Sequence, residues 1–393
     1  MLRYFTAGES HGEGLVAFLS GVPAGLGIDL AFINRELWRR QQGFGRGGRM
    51  KIETDKAHIL SGVRHGKTIG SPISILLENK DWANWEESLP VEAGDPEKHK
   101  RVASPRPGHA DLAGALKYNF PEARYILERA SARESAARVA IGAIAKLFLR
   151  ELGMDVLSHV IAVGKATLAN AEVPWEKLQE LHAKPEVLLN CADPDSEQRM
   201  KAEVDHALRT GDSIGGVFEV VAHNIPPGLG TFAQWDERLD GLLAQAVMSL
   251  QAVKAVEIGT GVESALSFGS AVHDEIGYKQ DGDAPFTGFT RASNHAGGIE
   301  GGISNGQDIL VRGYLKPIST LRRPLGSVDF ATREPVKAAY ERSDVCVVPA
   351  AGVAAEAMVA LTLARCALEK FGGDSIVETR RNFAGYQQQL REF

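Results

Sequence analysis

The sequence predicts a large chain that mixes helices with short strands and is not built on a parallel sheet. Three observations carry that reading. The chain has 393 residues, 44% of them hydrophobic, enough to bury a core as one big domain or two ordinary ones. Apolar stripes at helical spacing stand among short strand-like runs bounded by glycine. No strand–helix alternation of the parallel-sheet kind runs through them.

Residues 3–7 read as a strand that turns at Gly8-Glu9-Ser10-His11-Gly12 into a second strand, 13–19, making a hairpin. Asp29 is placed to cap a helix carrying Ile33 and Leu37, with Arg39 and Arg40 in its last turn and Gly43 closing it. Strand-like pieces follow at 51–54, 58–60 and 73–77, with turns at Gly62, Gly66 and Gly70. Residues 78–103 break the pattern, because Trp82, Trp85 and Pro90 lie among charges; such a loop reads as a lid, an oligomer arm or disorder. Ser131 and Glu134 have capping-box spacing ahead of a helical stripe that runs to about 152. Residues 156–163 read as a strand, 175–183 and 195–210 as surface helices, and 215–223 as a strand. Asp236 starts a helix with Leu239, Leu243 and Val247 inward, and 253–258 and 308–315 read as strands. Tyr340 to Asp344 reads as a helix end. A final helix, 351–371, is apolar nearly all round and stopped by Gly372-Gly373, so it should be buried on more than one face. The tail, 374–393, is polar and reads as reaching a neighbour or solvent.

A formal net charge of -6 argues against general nucleic-acid binding, which usually shows a basic face. Cys191, Cys346 and Cys366 form no CxxC, so neither a disulfide framework nor a zinc site is indicated. The N-terminus lacks a signal-peptide apolar region, and no apolar run reads as long enough to span a bilayer, which points to the cytoplasm.

The candidate site starts from residues 39–51, where five cations and four glycines stand without an acid. Arginine suits bidentate recognition of carboxylate or phosphate, and glycine lets backbone approach a ligand. A solvated basic turn is the bland alternative, weakened because Arg/His/Gly clusters recur. Arg106-Pro107-Gly108-His109 sits on a proline-stiffened segment. Arg129 and Arg133 bracket an expected helix N-terminus, where an anion is already favoured, although pairing with Glu128 and Glu134 also accounts for them. Residues 291–307 carry two Gly-Gly pairs, suited to a flat or phosphorylated ligand or to a tight hairpin. Gly8 to Gly12 formally matches the nucleophile-elbow pattern, so a serine hydrolase acting through Ser10 is the rival enzyme. A non-catalytic binding protein for FMN or a phosphorylated metabolite is the rival from another class.

Together these stretches resemble the chorismate synthase family over essentially the whole chain. The family's first signature is matched by Gly8-Glu9-Ser10-His11-Gly12, the second from Glu128 to Gly142, and the third from Arg342 to Met358. Gly45-Arg46-Gly47-Gly48-Arg49-Met50, Arg106 to His109, Gly297 to Ser304 and Lys316-Pro317-Ile318-Ser319-Thr320 also match, in family order. Small departures are Phe44, Glu122 and Ser135, which stand where the family commonly has other residues.

The resemblance implies an α+β fold, a β-α-β sandwich with helices packed between two antiparallel sheets in a single domain, assembled as a homotetramer. It implies conversion of 5-enolpyruvylshikimate 3-phosphate to chorismate by 1,4-anti elimination of phosphate, with reduced FMN and no net redox change. His11 is assigned to the phosphate as general acid, His109 to keeping the flavin protonated, and Asp344 to removal of the C6 proton. Arg129, Ala130, Ser131, Gln251, Ala252, Gly301, Lys316, Pro317, Ile318, Ser319, Thr320 and Arg342 are carried over as FMN contacts. Ser10, Arg40, Arg46, Arg49 and Arg133 are assigned to substrate anions, with NADP as the other ligand the family match offers at Arg40 and Arg46. No metal, nucleic acid or membrane is implied. Whether the chain reduces its own FMN with NADPH or takes it from an external flavin reductase stays open.

Overall fold

The structure, a computed structural model, describes residues 1–47, 54–170, 172–279, 286–341 and 344–393. Two antiparallel sheets enclose a layer of helices, the expected sandwich. The first sheet orders its strands Arg3–Gly8, Gly14–Ser20, Ile73–Glu78, His58–Ser61. The second orders Val253–Ile258, Ile309–Leu315, Gly216–His223, Asp155–Val163 and the short Ala166–Thr167.

Alternation along the strands explains the layering. Leu15, Ala17 and Leu19 are fully buried on the inner face, as are Ile73, Ile75 and Leu77 opposite them, while Phe18 points out and is 45% exposed. Helix Ser135–Arg150 packs on that inner face, and helix Val348–Phe371 packs between it and the second sheet. The two helices approach closely at Gly142, where a Cβ would overlap Ala357.

Helix Val348–Phe371 is long and apolar enough to cross a bilayer, contrary to the expectation that no such run exists, but 78% of its most apolar window lies inside the protein. It is the core helix. Its one charged residue in the interior, Glu356, is balanced: Arg39 donates to it at 2.6 Å and Lys146 at 2.6 Å, and the same two cations bond Glu36 at 2.8 and 2.7 Å. That network ties helix Leu30–Gln41 to the core, and Asp29 caps the helix as expected, accepting from the Phe32 N–H at 3.1 Å.

Three segments depart from the sequence reading. Helices Asp111–Tyr118 and Arg124–Ala130 stand where no helix is expected; neither has a side-chain cap to announce it. The expected helix before residue 344 is replaced by a hairpin, Gly326–Val328 with Pro335–Lys337, followed by irregular chain up to 341. The polar tail is helix Ile376–Glu392, capped by Ser375, and its Phe383 packs 5.0 Å from Phe371. Its apolar stripe, Ile376, Phe383 and Tyr386, folds it back on the body rather than outward.

Candidate active site

The last turn of helix Leu30–Gln41 and the glycine loop after it lead into a chamber of about 290 Å³. Arg40, Arg46 and Arg133 line it, with Arg322 and Tyr340 also in its wall. Asp55 binds Arg133 through both oxygens at 2.6 and 2.7 Å and lies 3.6 Å from Arg40. Asn79 accepts from Arg133 Nε at 2.9 Å. Asp344 accepts from the Gly47 N–H at 2.5 Å and lies 3.5 Å from Arg46. Burial, followed by the neighbouring Arg133 and Arg46, pushes the Arg40 pKa down to about 10 against the pull of Asp55. Arg40 Nε and Nη2 make no hydrogen bond among the described residues. Among the described residues, the Arg40, Arg46 and Arg133 guanidiniums thus share the carboxylates of Asp55 and Asp344, an arrangement suited to an anionic ligand.

A second chamber of about 710 Å³ shares Ser131, Ala132, Gln251, Asp344 and Val347 with the first. Two histidines face into it. His11 hangs on the hairpin turn, with Nδ1 3.0 Å from both oxygens of Glu128 and the Trp85 ring 4.1 Å away. Burial works to raise the Glu128 pKa, but His11 and Arg124 outweigh it and hold the carboxyl below its usual range. His109 Nδ1 lies 2.5 Å from Asp111, which also binds Arg106 at 2.8 and 3.0 Å. Asp111 is held far below the usual carboxylate range, since these bonds overcome burial. Arg106 also donates to Thr320 at 3.0 Å, fixing the far wall. There Lys316 bonds Ser319 at 3.2 Å, and burial beside Lys254 lowers its pKa. Ala252 sits in this wall at φ +68°, a conformation a non-glycine residue holds only at a cost.

The structure brings most of the predicted residues together. Ser10, His11, His109, Ala130, Ser131, Gln251, Ala252, Lys316, Ile318, Ser319, Thr320 and Asp344 line the larger chamber, and Arg40, Arg46 and Arg133 the smaller. Three lie elsewhere. Gly301 is in the turn of a tight hairpin, Ile299–Glu300 with Ile303–Ser304. Arg129 ends a helix instead of opening one, and its guanidinium donates to the carbonyls of Thr6 and Gly8. Pro317 is not among the lining residues of either chamber. Arg49 and Arg342 lie outside the described residues, as does most of the strand expected at 51–54. Ser10 joins two antiparallel strands with no helix following, so the nucleophile-elbow geometry is absent. Sequence reasoning missed Asp55, Asp111 and Glu128 as site carboxylates; only Asp111, two residues past His109, carried a local signal.

The cleft sets a cation-lined chamber beside two carboxylate-bound histidines, a site suited to an enzyme that acts on a multiply anionic small molecule. The family model for chorismate synthase matches residues 2–368. Chorismate synthases of Koribacter versatilis and Acidobacterium capsulatum are 78% and 68% identical, each aligned over 100% of both chains. A solved crystal structure of a chorismate synthase superposes with a TM-score of 0.78 at 42% identity, over 100% of this chain and 99% of the other. The chain belongs to the chorismate synthase family. It is a lyase, and its reaction is the last step of the shikimate pathway, release of phosphate from 5-enolpyruvylshikimate 3-phosphate to form chorismate.

Proposed function

We propose that the arginine chamber holds substrate anions and opens into the larger one, which holds reduced FMN and brings His11 to the substrate's leaving phosphate, with Asp344 in the shared wall. The observation that carries this is the continuity of the chambers through Ser131, Gln251 and Asp344. The residues fit a flavin phosphate. Lys316, Ser319 and Thr320 gather donors at one wall, while Leu127, Ala130, Ile318 and Val347 offer apolar surface to a flat ring. When bound, reduced FMN supplies the electron-rich ring that eases loss of an allylic phosphate without net redox change.

The chain's own residues then have separate tasks. Arg40, Arg46 and Arg133, with Arg49, bind the carboxylates and phosphate and stabilise charge as it builds on the leaving group. The C6–H pair becomes a ring double bond, the existing one shifts, and the C3–O pair leaves with phosphate. His11 gives that phosphate its proton, and Asp344 receives the proton lost from C6. His109, oriented by Asp111, holds a proton beside the flavin. The Trp85 ring lies against His11, tilted by 31°, and shields that face of the imidazole. Arg129, Gly301, Pro317 and Arg342 remain in the proposal as FMN contacts from the family match alone. A cytoplasmic homotetramer belongs to the same proposal, supported by exposed apolar side chains such as Leu266 (86%) and Phe268 (88%).

Anaerobic phosphate release from 5-enolpyruvylshikimate 3-phosphate, with chemically reduced and then oxidised FMN, tests the reading. Chorismate absorbance with reduced flavin alone is expected. Oxidised FMN with NADPH then tells self-reduction from an external reductase. Folded protein that does not turn over with reduced FMN would sink the cofactor assignment.

A further inference from the structure

We propose that Glu128 is a positioning residue for the elimination: its carboxylate sets the tautomer of His11 and fixes the orientation in which the ring serves the departing phosphate. The inference rests on the reading of His11 as general acid.

Glu128 is 117 positions from His11 in the chain and reaches it twice. One oxygen accepts the His11 backbone N–H at 2.7 Å, and both lie 3.0 Å from Nδ1. The glutamate side chain is 1% exposed and the histidine 12%, so solvent screens the pair weakly. An ionised carboxylate only accepts hydrogen bonds, so Nδ1 is the donor and carries the proton of the neutral ring. The neutral ring then has no proton on Nε2, the nitrogen left to serve the phosphate in this reading. His11 can give up a proton there only in its charged form, and Glu128 holds the opposite nitrogen.

The surroundings keep Glu128 available for this task. Arg124, on the same helix, lies 3.3 Å from Oε1 and is tied at its other end to Glu341 at 2.9 Å. Across the His11 ring stands Trp85, with Lys100 Nζ 4.1 Å from its ring and Asp81 accepting its indole N–H at 3.2 Å. Glu9 shares the turn with His11. Glu128 is the buried carboxylate in direct contact with the ring.

Nitrogen-15 NMR of the His11 ring in the folded wild-type enzyme, assigned with His11→Gln, reads the tautomer without turnover. A neutral ring protonated on Nδ1 is expected; one protonated on Nε2 overturns the proposal. In Glu128→Gln the amide oxygen still accepts from Nδ1 but the charge is gone. The amide can also turn its NH2 to Nδ1, so the tautomer is no longer enforced, and kcat for phosphate release should fall with KM unchanged. An unchanged kcat overturns the proposal while leaving the acid role of His11 intact. Undiminished phosphate release by His11→Gln would instead overturn the acid role, and the proposal with it.

Discussion

Arg39 and Arg40 are neighbours on one helix turn, both at least 95% buried, and meet opposite surroundings. Arg39 joins Lys146, Glu36 and Glu356, a cluster of two cations and two carboxylates in which each carboxylate takes bonds from both cations. Arg40 joins Arg46 and Arg133 against Asp55 and Asp344, with cations in excess and guanidinium nitrogens left without hydrogen bonds among the described residues. The first cluster is complete and holds helices together. The second, rich in cations among the described residues, is the one proposed to take the substrate's anions. Burial alone does not separate structural charge from functional charge; charge balance does.

Breaking the balanced cluster should have the largest effect on stability. Glu356→Gln leaves Arg39 and Lys146 under-compensated in the core and should cost about 3–5 kcal/mol in denaturant unfolding. A loss below about 1 kcal/mol would mean that the network relaxes and is not what holds the helices. Arg40→Gln should do the reverse. It removes surplus positive charge, so stability should hold or rise slightly, while substrate binding weakens about 10- to 100-fold by calorimetry, roughly 1.4–2.8 kcal/mol. Unchanged binding would place the substrate anions elsewhere.

The smallest expected effect sharpens the comparison by pH. His182 packs beside the balanced cluster, and burial, with Arg39 next, pushes its pKa down to about 3. An unfolded histidine takes a proton near pH 6.5, so below that the unfolded chain binds a proton that the folded one refuses. This site's share of stability is therefore complete above about pH 6.5 and falls by ~1.4 kcal/mol per pH unit on the way down toward pH 3. His182→Asn should flatten the unfolding free energy against pH between about 6 and 4. An identical slope in the variant would show that His182 charges freely in the folded state.

Much of the fold was legible because the governing signals are local. Helix Trp175–Ala183 has the expected bounds, and the core helix Val348–Phe371 is announced by its apolar faces and the glycines that end it. The elements missed lack such signals or disguise them. Asp111–Tyr118 is short and uncapped, and the tail helix shows its capping serine and apolar stripe among enough charge to read as solvent-bound.

By itself the sequence determined the chemistry available: the arginines between glycines, one histidine in a glycine turn and one on a proline-stiffened segment, the order of motifs that resembles one family. Tertiary structure decided which of those groups act and what each one faces. Arg39 and Arg40 differ in role because successive residues on a helix point about 100° apart, one into the core and one toward the cleft. The carboxylates that orient His11 and clamp Arg133 come from 117 and 78 positions away, and only the packing of helices between two sheets brings them within bonding distance.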